Sequence, residues 1–510
     1  MKLRNPDRYV LYPEKFKKAE IILEESDDFI DVYVKSADGI EGVSLFWDLT
    51  KEEKRSENVK VLGDAWERSY GELAWKRIDG KRIMPWYFAV SDGSDSVEKY
   101  KGRFTECFGV AVQPDALCSW QYSRQTVTLN LDLRNGNLPL LCGGRTIHAC
   151  RIFFREYRDM SAFESLRNFC AVMSPSPLKT KNIIYGSNNW YYAYGRDCSS
   201  EKMVKDAENT ALFCEGNENK PYAVIDDGWQ INSVTAPWIP NERFGDMKKL
   251  AKKMRASGVI PGIWVRYLVD EKFALDIPDE ARRPDKKEAL DPTHPAIREH
   301  IINTTKYLTS CGYKLIKHDF STCDIAFRWG KDAEGMFYCS GTSGFYDRTK
   351  TTAQVFKDFY KLILDCAGNT IILGCNTISH LCAGLVHANR TGDDTSGLEW
   401  SRTRKMGINT LAFRACQNNS FYIVDADCVG ITGKIDWKLN RDWLFLVAHS
   451  GTSLFVSCHP DFAKGEILRD LKKAFINGGK QEDRFIPLDW MEKKIPTEYR
   501  INGRKYKFDF

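Results

Sequence analysis

Short apolar runs, most of them alternating with polar residues, recur along the first third of the chain: FIDVYVKS, GVSLFWDL, WYFAVSD, FGVAVQP, QTVTLNLDL and TIHACRIFFREY. Gly, Asn and Asp clusters (SADG, RIDG, SDGSD, RNGN) separate them, as turns separate antiparallel strands. Helical spacing is scarce there. Many short antiparallel strands predict a twisted N-terminal β-sandwich over residues 1–175. SAFESLRNFCAVM (161–173) predicts a helix, with Ser161 as its N-cap and Glu164 in capping-box position. SPSPLKTKN follows as a linker with two prolines.

From about residue 181 the pattern changes. Short buried-type strands appear, each ending in polar residues: NIIYGSNNW, YAVIDDGW, VIPGIWVRY, YKLIKHDF, TIILGCNT, LVHANRTGDD, SFYIVDAD and TSLFVSCHP. Segments of helical patterning lie between most of them. RFGDMKKLAKKMRASG and HPAIREHIINTTKYLTSCG both end in Gly, a helix-stop signal. Strand–helix alternation of this kind means a parallel α/β sheet, and eight strands predict a central (β/α)8 TIM barrel over 176–465. One connection is too short for a crossover helix, that between IILGC and LVHANR. Either its helix is vestigial or the strand count is off by one. An open doubly wound sheet is the alternative, and no GxGxxG or P-loop supports it. Residues 466–510 predict one helix and a small C-terminal β appendage.

Composition narrows the function classes. A chain of 510 residues suggests two to four domains, and 43% hydrophobic with 28% charged residues excludes wholesale disorder. The 74 basic and 69 acidic residues are interspersed, without the basic block that nucleic acid binding requires. No run of 18 apolar residues predicts a membrane span. The opening MKLRNPDRYVLYPEKFKKAE has no apolar signal region. The 16 Cys lie beside apolar residues without CxxC or zinc spacing, so reduced core thiols are expected. These features imply a cytoplasmic protein, or a periplasmic or secreted one if the chain is trimmed. The His spacing predicts no metal site.

Chemistry in such a barrel sits at the C-terminal strand ends. The residues there are Asn188, Asn189 and Trp190; Asp226, Asp227 and Trp229; Trp264 and Arg266; Lys317 and Asp319; Cys375 and Asn376; Arg390, Asp393 and Asp394; Asp425 and Asp427. Any one Asp could be a helix N-cap. Together, convergent carboxylates, cations and Trp rings suit recognition of many hydroxyls, which is a carbohydrate site.

VIDDGWQ, GIWVRY, LIKHDF and RTGDDTSG resemble motifs of clan D glycoside hydrolases, most closely the α-galactosidases of family 36 and the related raffinose synthase and alkaline α-galactosidase group. ALDPTHPAIREHI and SNNWYYAYG are similar to further segments of that family. The resemblance implies a retaining, exo-acting α-galactosidase that hydrolyses terminal α-galactosyl residues of oligosaccharides and needs no cofactor. It implies Asp319 as nucleophile and Asp394 as acid/base, with Asp393 as second choice. It implies substrate contacts from Asp226, Asp227, Trp229, Trp264, Lys317, Arg390, Cys375, Asn376 and Trp190, a grip on O4 and O6 by the Asp226–Asp227 pair, and homo-oligomers. His318 stands where family members commonly carry Trp. Asp425 and Asp427 fall in a structural D-x-D segment. GDAWERSYG (63–71) is either a loop lent to the active site or an interdomain packing element. The alternatives are a raffinose-synthase-type α-galactosyltransferase, a non-catalytic sugar-binding barrel, or hydrolysis of a different sugar such as β-L-arabinopyranose or N-acetylgalactosamine.

Two electrostatic expectations follow from the chemistry. Lys317, two residues before Asp319, should place a cation beside it. Asp394 should have its pKa raised by burial and by the Asp319 charge, because a general acid starts protonated.

Overall fold

The computed structural model describes residues 4–13, 19–50, 58–92, 103–333, 339–482 and 484–510. Its first part contains two large antiparallel sheets and a two-stranded one, Gly39–Ile40 with Leu140–Leu141. One of the large sheets has five strands, in the order Arg8–Tyr12, Gly42–Asp48, Thr126–Asp132, Leu117–Tyr122, Met84–Pro85. The other has seven, in the order Ala19–Glu25, Ile30–Ser36, Thr146–Arg158, Phe104–Val110, Tyr87–Ser91, Lys60–Gly63, Lys76–Arg77. The apolar positions that alternate in the sequence face inward. Phe88 and Phe108 of the larger sheet stack with centroids 4.6 Å apart, and both meet Trp120 of the smaller sheet. The helix Ala162–Met173 starts where its capping box predicts, with Ser161 Oγ accepting from Glu164 N.

All eight strands read from the second pattern are present and parallel. They are Tyr185–Asn188, Tyr222–Ile225, Ile260–Val265, Leu315–His318, Ile371–Gly374, Ala388–Arg390, Ile423–Asp425 and Leu454–Cys458. The first seven pair in sequence order, and the last pairs with the first. A bridge between Asp425 and Ser453, with Ser453 N donating to Val424 O, links the seventh strand to the start of the eighth. The sheet is therefore barrel-like. The short connection holds only the one-turn helix Ser379–Cys382, as a vestigial crossover requires. The two Gly stop signals sit in the left-handed region, Gly258 at φ 102° and Gly312 at φ 100°, just past the helices Met247–Ala256 and Pro295–Ser310.

Two elements were not legible. Val429–Ile431 adds a ninth parallel strand beside Leu454–Cys458, and Arg282–Arg283 pairs with Lys286–Leu290 ahead of the fourth strand. The C-terminal part is the helix Gly465–Gly478 and a three-stranded sheet, Phe485–Pro487, Glu498–Ile501 and Arg504–Lys507. All 16 cysteines are free and 13 are buried.

The N-terminal sheets are tied to the barrel by one side chain above all. Arg414 is fully buried. It pairs with Asp64 at 2.8 Å and donates to the carbonyls of Ala65, Glu67 and Thr391 at 3.1, 2.5 and 3.2 Å. Arg414→Ala takes the cation from the buried Asp64 carboxylate, leaving it Gln417, and takes a donor from the carbonyls of Ala65, Glu67 and Thr391, the last of which keeps Ser69 N. It is expected to cost about 3–5 kcal/mol, read as an earlier denaturant midpoint.

Candidate active site

A pocket of about 180 Å³ opens at the C-terminal ends of the parallel strands. Asp226 and Asp227 follow the second strand, Asp319 the fourth, and Asp393 and Asp394 the sixth; all five line it, with Lys317, Arg390, Trp190, Trp264, Cys375 and Asn376. Three cations (Arg68, Lys317, Arg390) face six carboxylates there, the sixth being Asp427. The pocket's formal charge is negative, which favours a cationic ring.

Each carboxylate has a distinct set of partners. Asp319 is half-buried and accepts from Trp264 Nε1 at 3.1 Å, from Phe320 N at 2.7 Å and from Asn376 Nδ2. Asp226 Oδ2 accepts from Lys317 Nζ at 2.7 Å and Asn188 Nδ2 at 2.6 Å, and its Oδ1 from Asp227 N at 2.9 Å. Asp227 accepts from Gln230 Nε2, Ser233 Oγ and Val234 N at 2.5, 2.8 and 3.0 Å, so it anchors its own loop. Asp393 is clamped by two guanidiniums, Arg68 at 3.1 Å and Arg402 at 2.9 Å. Asp394 pairs with Arg390 alone, at 2.8 Å, and keeps 39% of its side chain exposed.

The expectation for Lys317 is corrected here. Lys317 and Asp319 line the same pocket, as their spacing of two requires, and the Asp319 charge acts on the ammonium, but its hydrogen bond goes to Asp226. Burial pulls the Lys317 pKa down, but the negative groups around it, Asp226 foremost and Asp319 among them, together outweigh burial and keep the ammonium charged. The expectation for Asp394 is corrected as well. Burial pushes its pKa up, but the charges of Arg390, Arg68 and Lys317 outweigh burial and hold it below the ordinary carboxylate value.

Trp229 is the one residue in the expected contact set that the pocket does not include. It is fully buried behind Trp264, donates from Nε1 to Trp264 O at 2.9 Å and packs on Trp238. Gly228, at φ 109°, turns the chain so that Trp229 leaves the rim; a Cβ there would meet the Gly195 backbone at 2.5 Å. Trp229 supports the wall that Trp264 presents. His318 also points away, into a buried gap beside Phe359 and Tyr360, and burial lowers its pKa to about 4, so it is neutral. Cys375 is a buried wall residue whose thiol burial pushes far up. It is no thiolate.

Several lining residues were not singled out as contacts: Arg68, Tyr191, Val234, Phe320, Trp329 and Cys428. Val234, Phe320, Asn376 and Asp427 all have positive φ, between 51° and 82°. Such backbone is costly for non-glycine residues and concentrates where the surroundings impose it. At Val234 the imposition is visible: Asp227 takes its N–H and Arg266 donates to its carbonyl at 3.3 Å. Asp427, given a structural role, fills it by holding Arg390 at 3.0 Å and accepting from Thr395 N at 2.7 Å and from Tyr191 OH.

The loop 63–71 reaches the site. Ser69 bridges Gly392, with Ser69 N donating to Thr391 O at 2.8 Å and Asp393 N to Ser69 O at 2.9 Å. This pairing delivers Arg68 to the pocket. Behind Gly392 lies a single π-helical turn, Arg404–Asn409, whose Met406 carbonyl packs against it.

Comparison with known proteins places this architecture. No family model matches the chain, and no curated protein is recognisably similar to it in sequence. Among solved structures, the chain has the fold of the family 36 α-galactosidases. It is similar to the α-galactosidase TtGalA of Thermus thermophilus, solved with p-nitrophenyl α-D-galactopyranoside: 14% identity, 99% of this chain and 98% of that one, TM-score 0.62. A variant of the family 36 α-galactosidase AgaA of Geobacillus stearothermophilus, in complex with raffinose, matches at 12% identity over 95% of this chain and 71% of that one, TM-score 0.64. The galactosidase domain of AgaSK, an α-galactosidase–sucrose kinase, matches at 15% identity over 93% and 69%, TM-score 0.62. The resemblance in the motifs thus extends to the fold.

Proposed function

We propose that the protein is a glycoside hydrolase, a retaining exo-α-galactosidase in which residues 1–175 form a β-sandwich, 176–465 a (β/α)8 barrel and 466–510 an appendage. The observation that carries this reading is the convergence of Asp319 and Asp394 on one pocket with different partners. Among the described residues, Asp319 is held by neutral donors alone, on both of its oxygens. Asp394 is the rim carboxylate that has one ion-pair partner among the described residues and keeps solvent access. Asp393 is taken up by two arginines, which commits it to holding the loop.

In this reading Asp319 attacks C1 as Asp394 protonates the leaving oxygen, and the C1–O bond breaks. Ionised Asp394 then takes a proton from water, whose oxygen bonds to C1 and releases Asp319. Asp226 and Asp227 grip O4 and O6. An epimer that leaves a buried carboxylate unpaired binds poorly, which selects galactose. Arg390 turns from Asp394 toward O2.

The test is release of nitrophenol from the 4-nitrophenyl α-galactoside, α-glucoside and N-acetyl-α-galactosaminide, with the first-formed anomer read by NMR. Turnover of the galactoside with α-galactose appearing first supports the reading. No turnover of any of them by folded protein sinks it, and an acceptor-dependent product sends it to the transferase. Gly392→Ala should slow the galactoside reaction. Its Cβ would meet Met406 O at 2.4 Å and Thr410 Oγ1 at 2.5 Å, so the Asp393–Asp394 loop must move. A displacement of this kind costs roughly 10²-fold in kcat.

A further inference from the structure

A second cavity, of about 420 Å³, lies on the outer side of Arg68. Arg68 lines both cavities, so the two adjoin. The outer one is walled by Tyr70, Lys76 and Arg82 from the N-terminal sheets and by Lys331 from the segment after the fourth parallel strand. Four cations therefore meet there. Among the described residues, two acids line it with them, Asp64 and Glu72. Asp64 holds Arg414 at 2.8 Å and Gln417 at 2.9 Å, and Glu72 accepts from Tyr70 N at 2.5 Å.

The cations are less well served. Arg68 shares Asp393 with Arg402. Arg82 donates to one carbonyl, Val61 O, at 3.0 Å. Among the described residues, neither Lys76, Arg82 nor Lys331 is in an ion pair; Lys331 Nζ stands 5.8 Å from the centre of the Tyr70 ring. Lys76 feels the crowding: burial, then the charges of Arg82 and Lys494, lower its pKa, and the charges of Glu72 and Asp79 offset them only in part. An anion placed between these groups would relieve that repulsion and gain charge-assisted hydrogen bonds. Tyr70 adds a ring face suited to a sugar.

We propose that this cavity binds an acidic sugar, a ring bearing a carboxylate or sulfate, which is the leaving unit of the substrate cleaved in the adjoining pocket. The link to a leaving unit rests on the glycosidase reading; the anion site itself does not.

The experiment has two arms on the full chain. First, D-glucuronate, D-glucose 6-sulfate and D-glucose are titrated calorimetrically at low and high salt. The two acids are expected to bind saturably, about tenfold or more tighter than glucose, with the tighter of them naming the anion. The exposed pair Lys76→Ala/Lys331→Ala should weaken the acids about tenfold with an unchanged thermal midpoint. Glucose binding equal to glucuronate, or an unaffected double variant, overturns the proposal. Second, kcat/KM is compared for an α-galactosyl-glucuronate and the matching neutral α-galactosyl-glucose. A preference for the acid that collapses in the double variant supports the leaving-unit assignment; hydrolysis of both at equal rates overturns it. If neither is hydrolysed while glucuronate binds and the double variant loses it, the anion site stands and the glycosidase reading falls.

Discussion

Asp319→Ala is expected to reduce turnover of the 4-nitrophenyl α-galactoside by about 10⁴-fold or more, the scale lost when a covalent nucleophile is removed. The loss should be chemical. Asp319 is half-buried, and what it leaves behind are Trp264 Nε1, Asn376 Nδ2 and Phe320 N, all facing a pocket that water can enter. The variant should therefore keep its thermal midpoint within a few degrees. Azide should restore part of the rate, because its nitrogen can bond to C1 from the side that Asp319 vacates while nitrophenolate leaves. The product is then β-galactosyl azide, of inverted configuration. A variant that retains more than a few per cent of activity, or yields the α-azide, assigns the nucleophile elsewhere.

Strand ends were the most legible part of the site. Apolar runs of four to six residues terminating in Asp, Lys, Arg or Asn can only be buried strands that open onto one rim, and Asp226, Asp227, Asp319, Asp393 and Asp394 all line the pocket as that logic requires. The errors come where the chain leaves the strand. Past Ile225 the period of two no longer holds, and the positive φ of Gly228 swings Trp229 behind the wall. Lys317, inside its strand, hydrogen-bonds Asp226 at the end of the second strand, a partner that its spacing from Asp319 does not reveal. Phe320, at φ 63°, enters the pocket because of a backbone conformation no propensity scale favours. Arg68 depends on a bridge between Ser69 and Gly392, and Trp329 on the path of the loop after the fourth strand. The unusual loop 63–71 pointed to the site in one of its two readings, whereas nothing local in the sequence encodes the placement of Trp329.

The electrostatics were the least legible, since a pKa depends on which partner a group finds. Burial alone would raise Asp394, and the choice of a general acid assumed that it did. The structure puts three cations near it instead. In the proposed mechanism Arg390, which holds both Asp394 and Asp427, is a device with two settings: on the empty carboxylate, or turned to the ligand.

Asp394→Asn tests that device. A sugar leaving group departs as an alkoxide and needs the proton, whereas nitrophenolate does not. The variant should thus lose roughly 10²–10⁴-fold in kcat/KM on an α-galactosyl disaccharide, and far less on the nitrophenyl galactoside, where a burst should precede slow release of the galactosyl enzyme. Azide should accelerate the second phase and give the α-azide, with configuration retained. Asp393→Asn, which only loosens Arg68 and Arg402, should slow both substrates alike. In the wild type the sign of the pH dependence follows from the lowered pKa. Empty enzyme holds Asp394 ionised at neutral pH, so kcat/KM on the disaccharide should fall as pH rises from the acid side. A bound sugar excludes water and draws Arg390 away, both of which raise the Asp394 pKa. The descending limb of kcat should therefore lie at higher pH than that of kcat/KM, and in Asp394→Asn it should vanish from both. Coincident limbs in the wild type would mean that Arg390 stays on Asp394 throughout, and that the proton comes from elsewhere.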